Sequence, residues 1–174
     1  MLAYTDSTAF AAYAAYLCWL IAGFADFRIH RRTAIAHTSG LAESRLHLLQ
    51  LALIGGGVLL WLACEPSRTL LWISAGLVVA HAVVAWRDTS TAWGRREIGP
   101  LEQHVHSVLD AAAPVALAIL AGMNLQAPHG FALREPALRP GVWAMWLAPA
   151  LLLVLLPALL EFRTCLAASR VSRS

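Results

Sequence analysis

The chain has 174 residues, of which 59% are hydrophobic and only 13% charged, whereas soluble domains run near half apolar and a quarter charged. That balance weighs against a soluble globular protein and leaves no room for a soluble domain beside the membrane spans. The net charge of +3 rests on 13 basic residues, all of them arginine; they gather at segment ends, not in a stripe, which argues against nucleic-acid binding.

Taken in chain order, five apolar stretches are long enough, or nearly so, for a bilayer that needs about 20 helical residues per crossing. The first runs from about Thr8 to Ala25. Nothing basic precedes it and its first charge is Asp6, so a retained span is expected and not a cleaved signal peptide. The second is Leu46 to Cys64. Its Gly55-Gly56-Gly57 run predicts close approach by a neighbouring helix, and without a flanking strand and a Lys-Ser/Thr ending it is no phosphate loop. A short turn broken by Pro66 leads to the third stretch, Thr69 to Trp86. The fourth, about Val105 to Leu125, is interrupted by Asp110 and Pro114; without it four spans would remain. The fifth is Val142 to Leu160. The expected fold is therefore all-α, a single transmembrane helical domain over residues 1–174.

Arginine placement predicts the orientation. Arg28, Arg31, Arg32 and Arg45 lie between spans one and two, Arg87, Arg95 and Arg96 between three and four, and Arg163, Arg170 and Arg173 after span five. Only Arg68, Arg134 and Arg139 fall on the other side. The positive-inside rule then puts the N-terminus outside and the C-terminus in the cytoplasm, in a membrane expected to be the bacterial inner membrane. Most of the seven tryptophans lie near span ends, as interfacial anchors do; Trp86 and Trp93 are also close enough to line an access path. Cys18, Cys64 and Cys165 are odd in number and far apart, and read as small core residues with no disulfide framework.

Seven of the ten acidic residues lie at stretch ends predicted to share one membrane face, with histidines among them. Asp26 and His30, Glu43 and His47, and Glu102 and His106 repeat an i, i+4 step, the last extended to Asp110. Residues four apart share a helix face, so each couple can present a carboxylate and an imidazole to one centre. His81, on span three, must find its partner on another helix. Asp26, His30, Glu43, His47, His81, Glu102, His106 and Asp110 are the expected metal ligands, with Asp88 and Glu161 in reserve. His104 is out of phase, His37 and His129 lie in loops, Ser39 is a helix cap and Thr38 or Ser39 an alternative hydrogen-bond partner for a ligand. Arg31, Arg32, Arg45 and Arg87 are candidates to neutralise the acids or to receive an anionic headgroup.

Imidazole and carboxylate together suit iron, manganese or zinc, and helix bundles build two-metal sites from such residues one turn apart. In chemistry the set resembles that of membrane fatty-acid desaturases and hydroxylases, which hold two irons at the cytosolic face. In motif it departs from them, since no HxxHH or HxxxH box is present. The leading expectation is a dioxygen-dependent monooxygenase or desaturase with two irons, a hydrophobic or lipid-like substrate drawn from the bilayer, and an external electron donor. A zinc hydrolase of a lipid amide or ester is the second; its use of intramembrane His and Asp resembles membrane ceramidase-type amidases, but it leaves several acids unemployed. A third is a non-enzymatic subunit or a b-type cytochrome with His47 and His81 as axial ligands.

Overall fold

The computed structural model describes residues 6–171, and apart from an isolated bridge between Cys64 and Leu133 their regular structure is helical. The helices are α1 (Asp6–Arg32), α2 (Gly40–Ala63), α3 (Arg68–Ala92), α4 (Pro100–Asn124), α5 (Pro140–Ala150) and α6 (Leu156–Val171). A π turn, Leu151–Leu155, carries α5 into α6, so five helical rods result, each long and apolar enough to cross a membrane. Hydrocarbon offers no water to a backbone amide or carbonyl, and a helix satisfies both within its own segment. Asp110 and Pro114 do not stop the fourth rod, which continues through both.

Each rod outruns the apolar stretch that announces it, and all five do so at the same end. α1 continues past Ala25 to Arg32, α2 begins at Gly40, α3 continues to Ala92, α4 begins at Pro100 and α6 reaches Val171. The 27 residues of α1 rise about 40 Å, against roughly 30 Å of bilayer hydrocarbon. The surplus turns carry the acids and histidines. Of the arginines expected at this end, Arg28, Arg31, Arg32, Arg45, Arg87, Arg95, Arg163 and Arg170 are exposed; Arg96 turns inward, and Arg173 lies outside the described residues.

Local chemistry sets the boundaries. Ser67 caps α3, its hydroxyl accepting from the Leu70 amide at 3.1 Å, and Pro100 and Pro140 open their helices where a missing N–H is harmless. Ser39 does not cap α2 as expected: it makes no side-chain bond to a helix amide. The corner before α2 is instead made by Gly40, whose φ of 60° favours glycine, and by a 3₁₀ turn, Ile35–His37, closed by the Thr38 hydroxyl on the Ile35 carbonyl at 3.3 Å. Pro149 cannot donate to the carbonyl of Met145, and the Tyr13 hydroxyl donates to that oxygen at 3.0 Å. Pro157 likewise leaves the Leu153 carbonyl without its usual donor, and the π turn lies immediately before it.

The rods close into a ring. α2 packs against α3 and α6, α4 against α1 and α3, and α1 against the π turn and α6. Leu20, Phe27, Val154 and Ala158 form a buried apolar cluster where α1 meets the fifth rod. There Gly23 lets the backbones approach, since a Cβ on it would lie 3.3 Å from Val154. The triple glycine behaves otherwise than expected. A Cβ on Gly55 or Gly56 would meet nothing within 4 Å, and only Gly57 faces a neighbour, Leu77. Between the rods lies a partly open cavity of about 330 Å³ to which all five contribute, Gly55 included.

Candidate metal centre

Five carboxylates are buried among the described residues, those of Asp26, Glu43, Asp88, Glu102 and Glu161, and all belong to one layer. His30 stands at its middle and is fully buried. One turn of α1 places His30 Nε2 3.5 Å from Asp26; Glu102 of α4 approaches it to 3.4 Å and Glu43 of α2 to 3.9 Å. His106, one turn along α4 from Glu102, directs Nε2 to Asp26 at 3.0 Å. His47 of α2 lies 3.2 Å from Asp88 and 3.9 Å from the same Glu43 oxygen that faces His30. Gln50 donates to Asp88 at 3.1 Å.

The two imidazoles are stacked, with centroids 4.7 Å apart and planes 8° from parallel. Their common partner is Glu161. One of its oxygens accepts from His30 Nδ1 at 3.1 Å and the other from His47 Nδ1 at 2.7 Å. An ionised carboxylate only accepts, so each Nδ1 donates to Glu161 and each Nε2 is left to face the other carboxylates of the layer. Both Nε2 atoms are buried without a hydrogen-bond partner of good geometry, as is Asp88 Oδ1. Unpaired buried polar atoms are rare, and these three belong to the one layer. Asp26, His30, Glu102 and His106 form one group able to hold a metal ion, and His30, Glu43 and His47 a second; within each, the ligand atoms lie within 4.8 Å of one another.

A positive charge of the chain's own enters from the loop between α3 and α4. Gly94, at φ 72°, lets that loop turn back, and Arg96 reaches Glu43 at 2.6 Å and Glu102 at 2.5 Å. Burial opposes the charge on Arg96, but its hydrogen bonds to Glu102 and Glu43 and their negative charges prevail, holding its pKa above the ordinary value. Arg31, Arg32, Arg45 and Arg87, the arginines expected to neutralise the acids, are all exposed.

Six of the eight expected ligands therefore meet: Asp26, His30, Glu43, His47, Glu102 and His106. His81 and Asp110 belong to neither group; both line the cavity, His81 about two turns along α3 from Asp88 and Asp110 one turn along α4 from His106. The two residues held in reserve take definite places, Asp88 beside His47 and Glu161 behind both imidazoles. His37, His104 and His129 are exposed, as are Trp86 and Trp93, which stay off the cavity wall. Arg96 was missed as a site residue. Its signal was indirect, because a buried acidic layer calls for a cation, and the inter-helix loop supplies one between two glycines.

No family model matches this chain, and no curated protein or solved structure shows significant similarity to it. It is a helical protein with five rods able to span a membrane and with His, Asp and Glu groups that could bind a metal.

Proposed function

We propose that this protein is a membrane-embedded, non-haem di-metal oxidoreductase acting on a hydrophobic or lipid-like substrate, with two irons as its metals and manganese or zinc as substitutes. The observation that carries the reading is the pairing by Glu161, which commits both Nδ1 atoms and leaves both Nε2 atoms facing carboxylates. Metal-bound histidines characteristically give their second nitrogen to a carboxylate in this way.

Charge favours two ions over one. Five buried carboxylates less the Arg96 guanidinium leave four negative charges, which two divalent cations neutralise. A single zinc would leave two uncompensated beside hydrocarbon, where charge is costly, so the zinc hydrolase is the weaker reading. Asp26, His30, Glu102 and His106 would hold one ion, and His47 and Asp88 the other. Glu43 lies 3.9 Å from each Nε2 and is placed to serve both.

When bound, such a pair supplies dioxygen activation, a cofactor's chemistry for which the protein provides position and exclusion. Arg96 fixes Glu43 and Glu102 in orientation. Phe27 sets its ring edge-on to both His30 and His47, at centroid distances of 6.2 and 5.9 Å, and walls the layer from water. Electrons come from an external donor, since the chain carries no flavin or nicotinamide motif. The arginine bias puts the layer at the cytoplasmic face, within reach of such a donor.

Metal content per polypeptide, read with the absorbance spectrum of gently purified protein, tests this. Two irons per chain without a haem Soret band is the expected result. One zinc would favour hydrolysis, and a Soret band the cytochrome. No metal after reconstitution with iron, manganese and zinc would overturn the reading.

A further inference from the structure

The cavity beneath the layer constrains what the layer can act on. Asp26, His47, Asp88 and His106 form its polar end, while Tyr16 and Leu59 mark the other. From Asp26 to Tyr16 along α1, and from His47 to Leu59 along α2, the helical rise gives a depth of roughly 15 to 18 Å. Spread over that depth, the 330 Å³ of the cavity makes it long and narrow, a shape that suits an extended hydrocarbon chain.

The wall grades along its length. His81 and Asp110 enter it within two turns of the layer, among apolar residues such as Leu51 and Ile54, and the deeper part is lined by residues such as Val58 and Leu147. An amphiphile in one leaflet is ordered the same way, polar end at the membrane face and chain toward the bilayer centre. We propose that the cavity binds a single-chain, unbranched amphiphile of about a dozen carbons, the number that spans the slot at its helical depth, with its polar end at the acid–histidine layer. This proposal rests on the di-metal reading for its chemistry but not for its binding. The carbons beside the polar end, not the methyl end, are then the ones oxidised. In balanced form a C–H bond there becomes C–OH: one oxygen atom of dioxygen is inserted, and the other leaves as water with two protons and with two electrons from the external donor.

Gly55 provides the test. It lines the cavity, and a Cβ there meets nothing within 4 Å, so a larger side chain there should shorten the slot. Metal-loaded protein in phosphatidylcholine nanodiscs would be titrated with n-alkanols of about 8 to about 18 carbons, which bracket the depth set by helical rise. Affinity should peak near a dozen carbons. Gly55→Phe, or the smaller Gly55→Leu if the first does not fold, should move that peak several carbons shorter at unchanged metal content. Affinity that climbs steadily with chain length, or a peak that neither variant moves, would overturn the slot. So would turnover product oxidised at the methyl end. Metal content is read separately, and a length-selective slot in a protein that takes no metal would sink the oxidase reading while sparing this one.

Discussion

Glu161 touches no expected substrate position, yet two imidazoles depend on it. Without its carboxylate, His30 and His47 lose the acceptor that fixes their tautomer, and loss of such a partner weakens metal binding about 10- to 100-fold. Glu161→Ala should show that loss in a chelator-competition titration, while the exposed Glu97→Ala leaves affinity unchanged; equal effects of the two would remove Glu161 from the centre. Glu43 and His106 should differ in degree. Glu43 faces both Nε2 atoms, so Glu43→Ala should drop both ions. His106 touches only the Asp26 side of the layer, so His106→Ala should weaken metal binding less than Glu43→Ala, which a chelator-competition titration would resolve. Arg96→Met leaves Glu43 and Glu102 buried without their cation, a change that in buried pairs costs about 3–5 kcal/mol, and thermal unfolding of the metal-free protein should register it. Because the pKa of Arg96 is raised, the stability its charge confers is present at every pH below the arginine range and is lost only above it. Acidification therefore acts on the carboxylates and imidazoles. Metal should leave as pH falls, and Arg96→Lys should not move the midpoint of that loss.

At the scale of helices, the sequence discloses existence and depth better than extent and azimuth. Five apolar stretches announce five rods, and the i, i+4 couples put acid and imidazole on common faces before any packing is known. The ends were less legible, because apolar runs stop where the polar layer starts. The helix continues there since Asp26, His30, Glu43 and Glu102 find partners across the bundle. Which residue serves which role depended on azimuth, and spacing alone does not encode it. Asp110 repeats the step of its neighbours yet lies outside both groups, while Asp88 and Glu161 contact the imidazoles without any such couple of their own. Gly55 and Gly56 face open space for the same reason. Pro157 shows how local chemistry fixes azimuth: the π turn before it adds a residue to one turn of the rod, rotating the rest of α6 by about 100° relative to a regular helix. Glu161 is one turn further on. Pro157→Ala, by restoring the missing donor, should favour a regular turn and swing Glu161 away from the imidazoles. Metal affinity should then fall with helix content unchanged by circular dichroism; unaltered affinity would show that the turn does not position Glu161.

For the whole molecule, the proposed di-metal layer would tie folding to cation supply. Five buried carboxylates and one guanidinium call for countercharge, which protons would supply where metal does not. Loading should release protons into weakly buffered solution and raise the unfolding temperature with ion concentration, by the equivalent of about 2.7 kcal/mol at one hundred times the dissociation constant. A metal titration that releases no protons would speak against these carboxylates and imidazoles as the ligands. The stacked pair behind which Glu161 stands has a consequence for how loading proceeds. One carboxylate holds both rings, 4.7 Å apart and nearly parallel, so the first ion to bind, by immobilising one ring, stiffens the clamp on the other. The second ion meets a ligand already aimed and loses less conformational freedom on binding. Occupancy should accordingly be all-or-none, with empty and doubly filled molecules dominating a native mass spectrum at half-saturation and the singly filled species scarce.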